Sequence, residues 1–238
     1  MSCDYCDERA GRETVYNRVY GRRNRVVFET ERFTVFPCMG QLREGHLLAA
    51  SKAHVNAAGM LDRDAAAELE DVIAAVGAFY KTRYRQGLLC FEHGVLDDGG
   101  SCGGCGIYHM HLHLLPASFR EFAQVRRRAA GRDTHSVERA AGLSDTRRCV
   151  EGRETYLFLS YRDGDSPPDS SIIRSRDNYF ESQYMRKIVS AVFGGSDWDW
   201  RKATREEPVF LKTLAVCREY FGGRALCTGE NSPRPRAG

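Results

Sequence analysis

The chain has 238 residues, of which 42% are hydrophobic and 28% are charged, as is typical of a globular domain with a substantial core. We expect a cytoplasmic protein without membrane contact, because it lacks both a signal-peptide pattern and an apolar run of the roughly 18 residues that a membrane-spanning helix needs. The net charge of +3 is too small to indicate nucleic-acid binding.

The first half of the chain has the pattern of an α+β fold. Residues 8–23 are polar and predicted to be irregular. The strongest helix is predicted from Asp62, a suitable N-cap, to residue 83, and Gly87 could end it. Apolar runs and alternation predict strands at 25–29, 32–37, 47–51, 88–92 and 107–115. Together these elements predict an antiparallel sheet with a long helix across one face.

The second half has a weaker pattern. After residue 117 we expect one basic helix and then polar sequence interrupted by glycines. Further along, a strand is predicted at 156–161, a loop at 162–178, and helices at 180–192 and 207–221. We therefore divide the chain into a core with an N-terminal arm (1–116), an α/β extension packed on the same domain (117–227) and a disordered tail (228–238).

Three histidines at every second position mark the segment from Tyr108 to Pro116. In a strand, side chains alternate between faces, so His109, His111 and His113 are predicted to point to one side. Three imidazoles in a row along one face suggest that they bind a ligand, form hydrogen bonds or react. The alternative is a half-buried strand with surface histidines.

This His-φ-His-φ-His-φ-φ run resembles the signature of the histidine triad (HIT) superfamily of nucleotide hydrolases and nucleotidyl transferases. Residues 45–54 are similar to the family's Gly-His-x-Leu-φ-φ-x-Lys-x-His segment, and Cys3 and Cys6 resemble the Cys-x-x-Cys pair of its zinc-binding members. Segments 91–94, 103–106 and 198–201 resemble a bacterial subgroup. The resemblance implies a HIT-like antiparallel sheet with a long helix, a nucleotide or nucleotide-conjugate substrate, and a homodimer.

A structural zinc site is predicted at the N-terminus. Nine cysteines without any sign of secretion favour free thiols and a metal site over disulfide bonds. Cys3 and Cys6 have the spacing that lets two sulfur atoms reach one ion. The resemblance supplies His54 and His109 as the remaining ligands, which would leave the second triad histidine available for chemistry.

A second cysteine pair, Cys102 and Cys105, competes for the metal. We favour a different role for this segment, because the resemblance implies that its glycines allow close approach to the substrate. Gly104, Cys105 and Gly106 are therefore predicted to bind the substrate.

The resemblance assigns the chemistry to two histidines. His111 is predicted to attack an α-phosphorus and carry the nucleotidyl group, and His113 to contact the phosphate oxygens. The ring of His111 is expected to be oriented by a backbone carbonyl near His54. Transfer of the nucleotidyl group from His111 to water would make the protein a hydrolase, and transfer to phosphate or a small acceptor would make it a transferase.

Further substrate contacts are predicted outside the triad. Gln183 and Arg186 lie in a Ser-Gln-x-x-Arg pattern that opens a helix and suits an anion, although an ordinary amphipathic helix would look similar. Glu92 stands where the family has an amide, and a carboxylate there would suit a substrate amine or hydroxyl. Cys38 stands near the position of the acidic residue that binds ribose in many members. This departure leaves a non-catalytic nucleotide-binding module as another alternative.

Overall fold

The computed structural model describes residues 3–96, 107–202 and 208–222, in which helices pack around one antiparallel sheet. The strands are β1 (Phe28–Glu29), β2 (Phe33–Pro37), β3 (Leu47–Ser51), β4 (Gly87–Gly94), β5 (His111–Ala117), β6 (His135–Ala140), β7 (Tyr156–Arg162) and β8 (Asp169–Ser175). They form an eight-stranded sheet in the order β1-β2-β3-β5-β4-β7-β8-β6. The strand that carries the second and third triad histidines therefore lies in the middle of the sheet.

Helices cover both faces of the sheet. They are α1 (Asp4–Arg9), α2 (Val15–Tyr20), α3 (Arg63–Tyr84), α4 (Phe119–Ala129), α5 (Arg147–Glu151), α6 (Tyr184–Val192) and α7 (Pro208–Phe221). No helix among the described residues is both long and apolar enough to cross a membrane. The α+β fold class predicted from the sequence is confirmed.

The long helix α3 forms where the sequence predicted it. The side chain of Asp62 caps its N-terminus by accepting a hydrogen bond from the backbone N–H of Ala65 at 2.7 Å. Its apolar face is buried in the main core. The helix ends at Tyr84, because Arg85 adopts the left-handed conformation (φ 53°). Gly87, the expected terminator, is instead the first residue of β4, where a Cβ would collide with Tyr161.

Alternation along the central strands gives the sheet two different faces. Leu112 and Leu114 of β5 point to the core that contains α3. His111 and His113 point to the opposite face, towards which Phe91 of β4 also points, because its ring stacks on His113 at 4.3 Å. The triad thus lies on the face away from α3.

Several elements differ from the sequence-based predictions. Residues 8–23, which were predicted to be irregular, contain the end of α1 and all of α2, and a capping box between Thr14 and Asn17 fixes the start of α2. The predicted loop at 162–178 contains β8, and the polar segment before residue 154 contains β6. Both strands were missed because their sequences are polar. In the structure, hydrogen bonds to neighbouring strands satisfy such residues; for example, Ser170 is buried and donates to Ser160 on β7 at 2.9 Å.

The second half of the chain continues the sheet of the first half. Strand β7 pairs with β4 over seven positions, from Leu88 opposite Arg162 to Gly94 opposite Tyr156. Strands on both sides of the proposed division at residue 116 consequently share one sheet, and α6 packs on the same face as the triad.

Candidate functional site

The three triad histidines lie together and are buried. Their side chains are exposed by only 1% (His109), 8% (His111) and 5% (His113). The ring of Tyr5 meets His109 and His111 edge-on at 5.5 and 5.6 Å, and the rings of His111 and His113 are 5.2 Å apart. Strand β5 begins at His111, four residues later than the sequence predicted.

The four predicted metal ligands converge at the start of the N-terminal arm, which comprises residues 3–25. His109 Nδ1 lies 3.3 Å from Cys3 Sγ, 3.6 Å from Cys6 Sγ and 3.2 Å from His54 Nδ1, and Cys6 Sγ lies 3.3 Å from His54 Nδ1. A tetrahedral site with zinc-type bond lengths requires separations of about 3.3 to 3.8 Å between ligand atoms. These four side chains could therefore hold a metal ion.

The backbone prepares His109 for such a role. Its Nε2 lies 2.7 Å from the carbonyl oxygen of Ser51, so Nε2 carries the proton and the lone pair of Nδ1 faces the two sulfur atoms. Burial lowers the pKa of His109 to about 4, which keeps the ring neutral near pH 7. A neutral imidazole held by a carbonyl is the usual form of a metal-binding histidine.

A backbone carbonyl also orients His111. Its Nδ1 lies 2.7 Å from the carbonyl oxygen of His109. Because a carbonyl only accepts, Nδ1 carries the proton and the lone pair is on Nε2, the atom that can act as a nucleophile. The expectation that this carbonyl lies near His54 was wrong. The carbonyl comes from the same segment as the triad, whereas the carbonyl of Ser51 on β3 orients His109.

His113 belongs to a hydrogen-bond chain that starts at the Gly-His segment. The backbone N–H of Leu42 donates to His46 Nδ1 at 3.3 Å, and His46 Nε2 lies 2.9 Å from His113 Nδ1. Burial lowers the pKa of both imidazoles well below the usual value, so both rings are neutral. His46 Nε2 must therefore donate, which leaves the proton of His113 on Nε2. His46 was part of the sequence motif, but its role was not predicted.

The arm closes a cavity over the triad. The cavity has a volume of about 40 Å³, and its lining includes His111, His113, Cys38, Arg186 and Trp200 from the body of the protein. The arm contributes Tyr5, Thr14, Tyr16 and Arg25. A volume of this size holds only a few water molecules.

Arg25 fastens α1 to the rest of the arm. Its side chain is 3% exposed, donates to both carboxylate oxygens of Glu8 and lies over the rings of Tyr16 and Phe36 at 4.3 and 4.0 Å. Bidentate pairing and two aromatic faces satisfy a guanidinium group in a buried position. Nothing in the sequence pattern distinguished Arg25 from its arginine-rich surroundings.

Arg186 reaches the cavity from α6. Its guanidinium donates to the carbonyl oxygens of Trp198 and Gly40, and its Nη1 lies 3.2 Å from Cys38 Sγ. The ligand atoms of Cys38, His46 and His113 also lie within 4.8 Å of one another, but the cationic Arg186 against the sulfur atom opposes a metal ion there.

Gln183 and Glu92 have other partners. The amide of Gln183 is held by Asp199 at 2.8 Å and by the backbone N–H of Trp200 at 3.2 Å, so it fixes the segment beside the cavity. Glu92 lies on the face opposite the triad, where it accepts hydrogen bonds from the backbone N–H of Ala58 and from Tyr156 Oη, both at 2.7 Å. Burial raises the pKa of Glu92 to about 7.

The remaining predicted substrate contacts, Gly104, Cys105 and Gly106, lie outside the described residues, as does Cys102. One further histidine, His93, lies beside the triad on β4 and has no predicted role. The sequence could have indicated its location, because His93 follows Phe91 by two residues and both side chains therefore lie on the same face of a strand.

Comparisons with known proteins give structural neighbours only. No protein-family model matches the chain, and no curated protein matches it. Solved structures that match include a HIT family protein from Bacillus anthracis (20% identity, 49% of this chain and 74% of that chain covered, TM-score 0.37). A HIT family hydrolase from Clostridium thermocellum matches with 17% identity, coverage of 50% and 92%, and a TM-score of 0.33.

A histidine triad nucleotide-binding protein from Sulfolobus tokodaii covers more of the chain, with 17% identity, coverage of 81% and 92%, and a TM-score of 0.32. The solved structures named here are HIT proteins, the family that the sequence motifs indicated.

Proposed function

We propose that this protein is a HIT-type nucleotide hydrolase that acts through a nucleotidyl-His111 intermediate. The observation that carries the proposal is the orientation of His111, whose Nδ1 is paired with the carbonyl oxygen of His109. This pairing keeps the nucleophilic lone pair on Nε2, and His111 lines a cavity together with His113 and Arg186.

The reaction has two displacement steps. In the first, His111 Nε2 forms a bond to the α-phosphorus, the bond from phosphorus to the leaving group breaks, and the leaving group takes a proton from solvent. In the second, water attacks the same phosphorus, the N–P bond breaks, and the water loses its proton to solvent. The carbonyl of His109 stabilises the positive imidazole ring in the intermediate by accepting its Nδ1 proton in a hydrogen bond.

His113 and Arg186 supply the positive side of the site. The hydrogen-bond chain from His46 keeps a proton on His113 Nε2, which can donate to an oxygen of the phosphoryl group as charge develops there. Arg186 adds a buried positive charge on the other side of Cys38. A neutral donor and a guanidinium group together suit a phosphate ester or anhydride.

A zinc ion is the metal that we propose for Cys3, Cys6, His54 and His109. Two thiolates and two imidazoles favour this ion, and a site with four protein ligands has no open position for catalysis. The ion would fix His109, and with it the carbonyl oxygen that orients His111. Homodimer formation and a cytoplasmic location stay predictions.

Turnover of a panel of nucleoside phosphoramidates, nucleotide esters and dinucleoside polyphosphates tests the proposal. We expect release of a nucleoside monophosphate by the wild-type protein and a loss of more than a thousandfold in His111→Ala. His135→Ala, a substitution of a histidine outside the cavity, is the control and should keep full activity.

The same assay separates the alternatives. Repeating it with inorganic phosphate shows whether the nucleotide passes to an acceptor, because a transferase would then form a nucleoside diphosphate. Tight nucleotide binding without turnover of any compound in the panel would contradict the proposal and indicate a nucleotide-binding module.

A further inference from the structure

The loop between β2 and β3 decides which imidazole carries the proton that His46 and His113 share. The backbone N–H of Leu42 donates to His46 Nδ1 at 3.3 Å, which leaves the proton on His46 Nε2. Without this bond, His113 Nδ1 could donate to His46 Nε2 instead, and His113 Nε2 would lose its proton. A distance of 3.3 Å is long for a hydrogen bond, so the bond depends on the conformation of the loop.

Gln41, which precedes Leu42, joins the two ends of this loop. Its Nε2 donates to the carbonyl oxygens of Cys38 and His46, both at 2.8 Å. The same side chain therefore holds the first residue of the loop and the residue whose ring must be oriented. Because both amide hydrogens are used in this way, the side chain has its Oε1 left to accept from a further partner.

The partner of Gln41 Oε1 comes from the other end of the chain. Thr213 on α7, which is 172 residues away in sequence, donates to this oxygen at 2.9 Å. The hydroxyl oxygen of Thr213 also accepts from the backbone N–H of Gly45 at 2.9 Å, and Thr213 is fully buried. One hydroxyl group thus fixes both the Gln41 amide and the residue that precedes His46.

We infer that Gln41 and Thr213 are positioning residues for the proposed reaction. They hold the loop so that the N–H of Leu42 faces His46 Nδ1, which keeps the proton on His113 Nε2. Neither side chain lines the cavity over the triad, so both act through His46 and not on the substrate. This inference rests on the proposed function, and it makes α7 part of the structure on which catalysis depends.

Nitrogen-15 NMR of the imidazole rings tests the inference without any substrate. In the wild-type protein, Nδ1 of His46 and of His113 should give the signal of an unprotonated nitrogen, and Nε2 that of a protonated one. Thr213→Val keeps the shape of the side chain but removes the hydroxyl group. We expect part of the His113 population in this variant to carry its proton on Nδ1. Thr213→Ser keeps the hydroxyl group and should restore the wild-type pattern.

Gln41→Met is a second route to the same result, because methionine has a similar length and no amide group. Gln41 is only half-buried, so this substitution threatens the fold less than a change at Thr213. The His113 proton should shift as it does in Thr213→Val. Since the two residues act in one network, the effect in the double variant should be no larger than that in the more affected single variant.

Turnover kinetics show whether the position of the proton matters for the reaction. We expect kcat of Thr213→Val to fall about tenfold, the effect of one hydrogen bond in the transition state, with KM nearly unchanged. The matched control is Thr146→Val, because Thr146 is also fully buried and donates to the carbonyl oxygen of Leu143 at 2.7 Å, outside the loop. This control should lose stability to a similar degree but keep the wild-type kcat and histidine signals.

Wild-type histidine signals in both Thr213→Val and Gln41→Met would overturn the inference, as would an equal fall in kcat in Thr146→Val. Failure of the inference can be told from failure of the proposed function. A shifted proton in a protein that turns over no nucleotide would contradict the proposed function and leave the hydrogen-bond role standing. An adduct on His111 that forms and breaks down at the wild-type rate in Thr213→Val would overturn the inference and leave the proposed function standing.

Discussion

Substitution of Glu92 by glutamine should change how stability depends on pH. The carboxyl group is 2% exposed, and burial raises its pKa from 4.5 to about 7 in the folded protein. Between these two values the folded state holds a proton that the unfolded state has lost. The wild-type protein therefore loses stability as pH rises through this window, and the full effect is about 3 kcal/mol.

Glu92→Gln removes this titration while it keeps the local hydrogen bonds. The amide oxygen can accept from the backbone N–H of Ala58, and the amide N–H₂ can donate to Tyr156 Oη. Buried histidines such as His46 and His113 contribute the opposite trend, because their lowered pKa values make stability rise with pH. Their contribution is common to both proteins and cancels in the difference.

The assay is denaturant unfolding of wild type and Glu92→Gln at pH 5 and pH 8. We expect the variant to gain about 2 to 3 kcal/mol relative to wild type between these two values. Glu219→Gln, at an exposed position on α7, shows whether a Glu-to-Gln change alone has this effect. A difference that stays constant with pH, or that favours the wild type as pH rises, would refute the reasoning.

Three further predictions concern the arm, the metal site and the hydrogen-bond chain. Cys3→Ser/Cys6→Ser should lose bound zinc, measured by elemental analysis, and melt at a lower temperature; undiminished zinc would reject the assignment. His46→Phe should lower kcat about a hundredfold in turnover assays without changing metal content, because His113 no longer keeps its proton on Nε2; unchanged kcat would contradict the hydrogen-bond chain. Arg25→Met leaves the carboxylate of Glu8 without its partner and should speed tryptic cleavage within the arm. An unchanged cleavage rate would show that the Arg25–Glu8 ion pair does not keep the arm folded.

Local patterns were sufficient to predict the central part of the fold. Strand β3 and helix α3 lie where an apolar run and helical spacing predicted them, and the four predicted metal ligands lie together as the family resemblance implied. The strand and the helix depend on residues close in sequence, whereas the predicted metal ligands come from three separate segments that the family resemblance brought together. Local patterns of this kind can be recognised in a sequence without knowledge of tertiary contacts.

Long-range contacts set the features that were missed. Strand β8 forms because pairing with β6 and β7 satisfies its polar backbone and its serines, which no local pattern reveals. The arm folds over the triad through the pairing of Arg25 with Glu8. The hydrogen bond between His46 and His113 joins residues 67 apart in sequence, so its role follows only from the register of β3 and β5.

Capture of the covalent intermediate tests the central claim most directly. Wild-type protein mixed with a labelled nucleotide and quenched within one turnover should yield a peptide that contains His111 and carries one nucleoside monophosphate, as read by mass spectrometry. The adduct should be absent from His111→Ala. An adduct on a different residue, or release of product at the wild-type rate with no adduct at any time, would contradict the account.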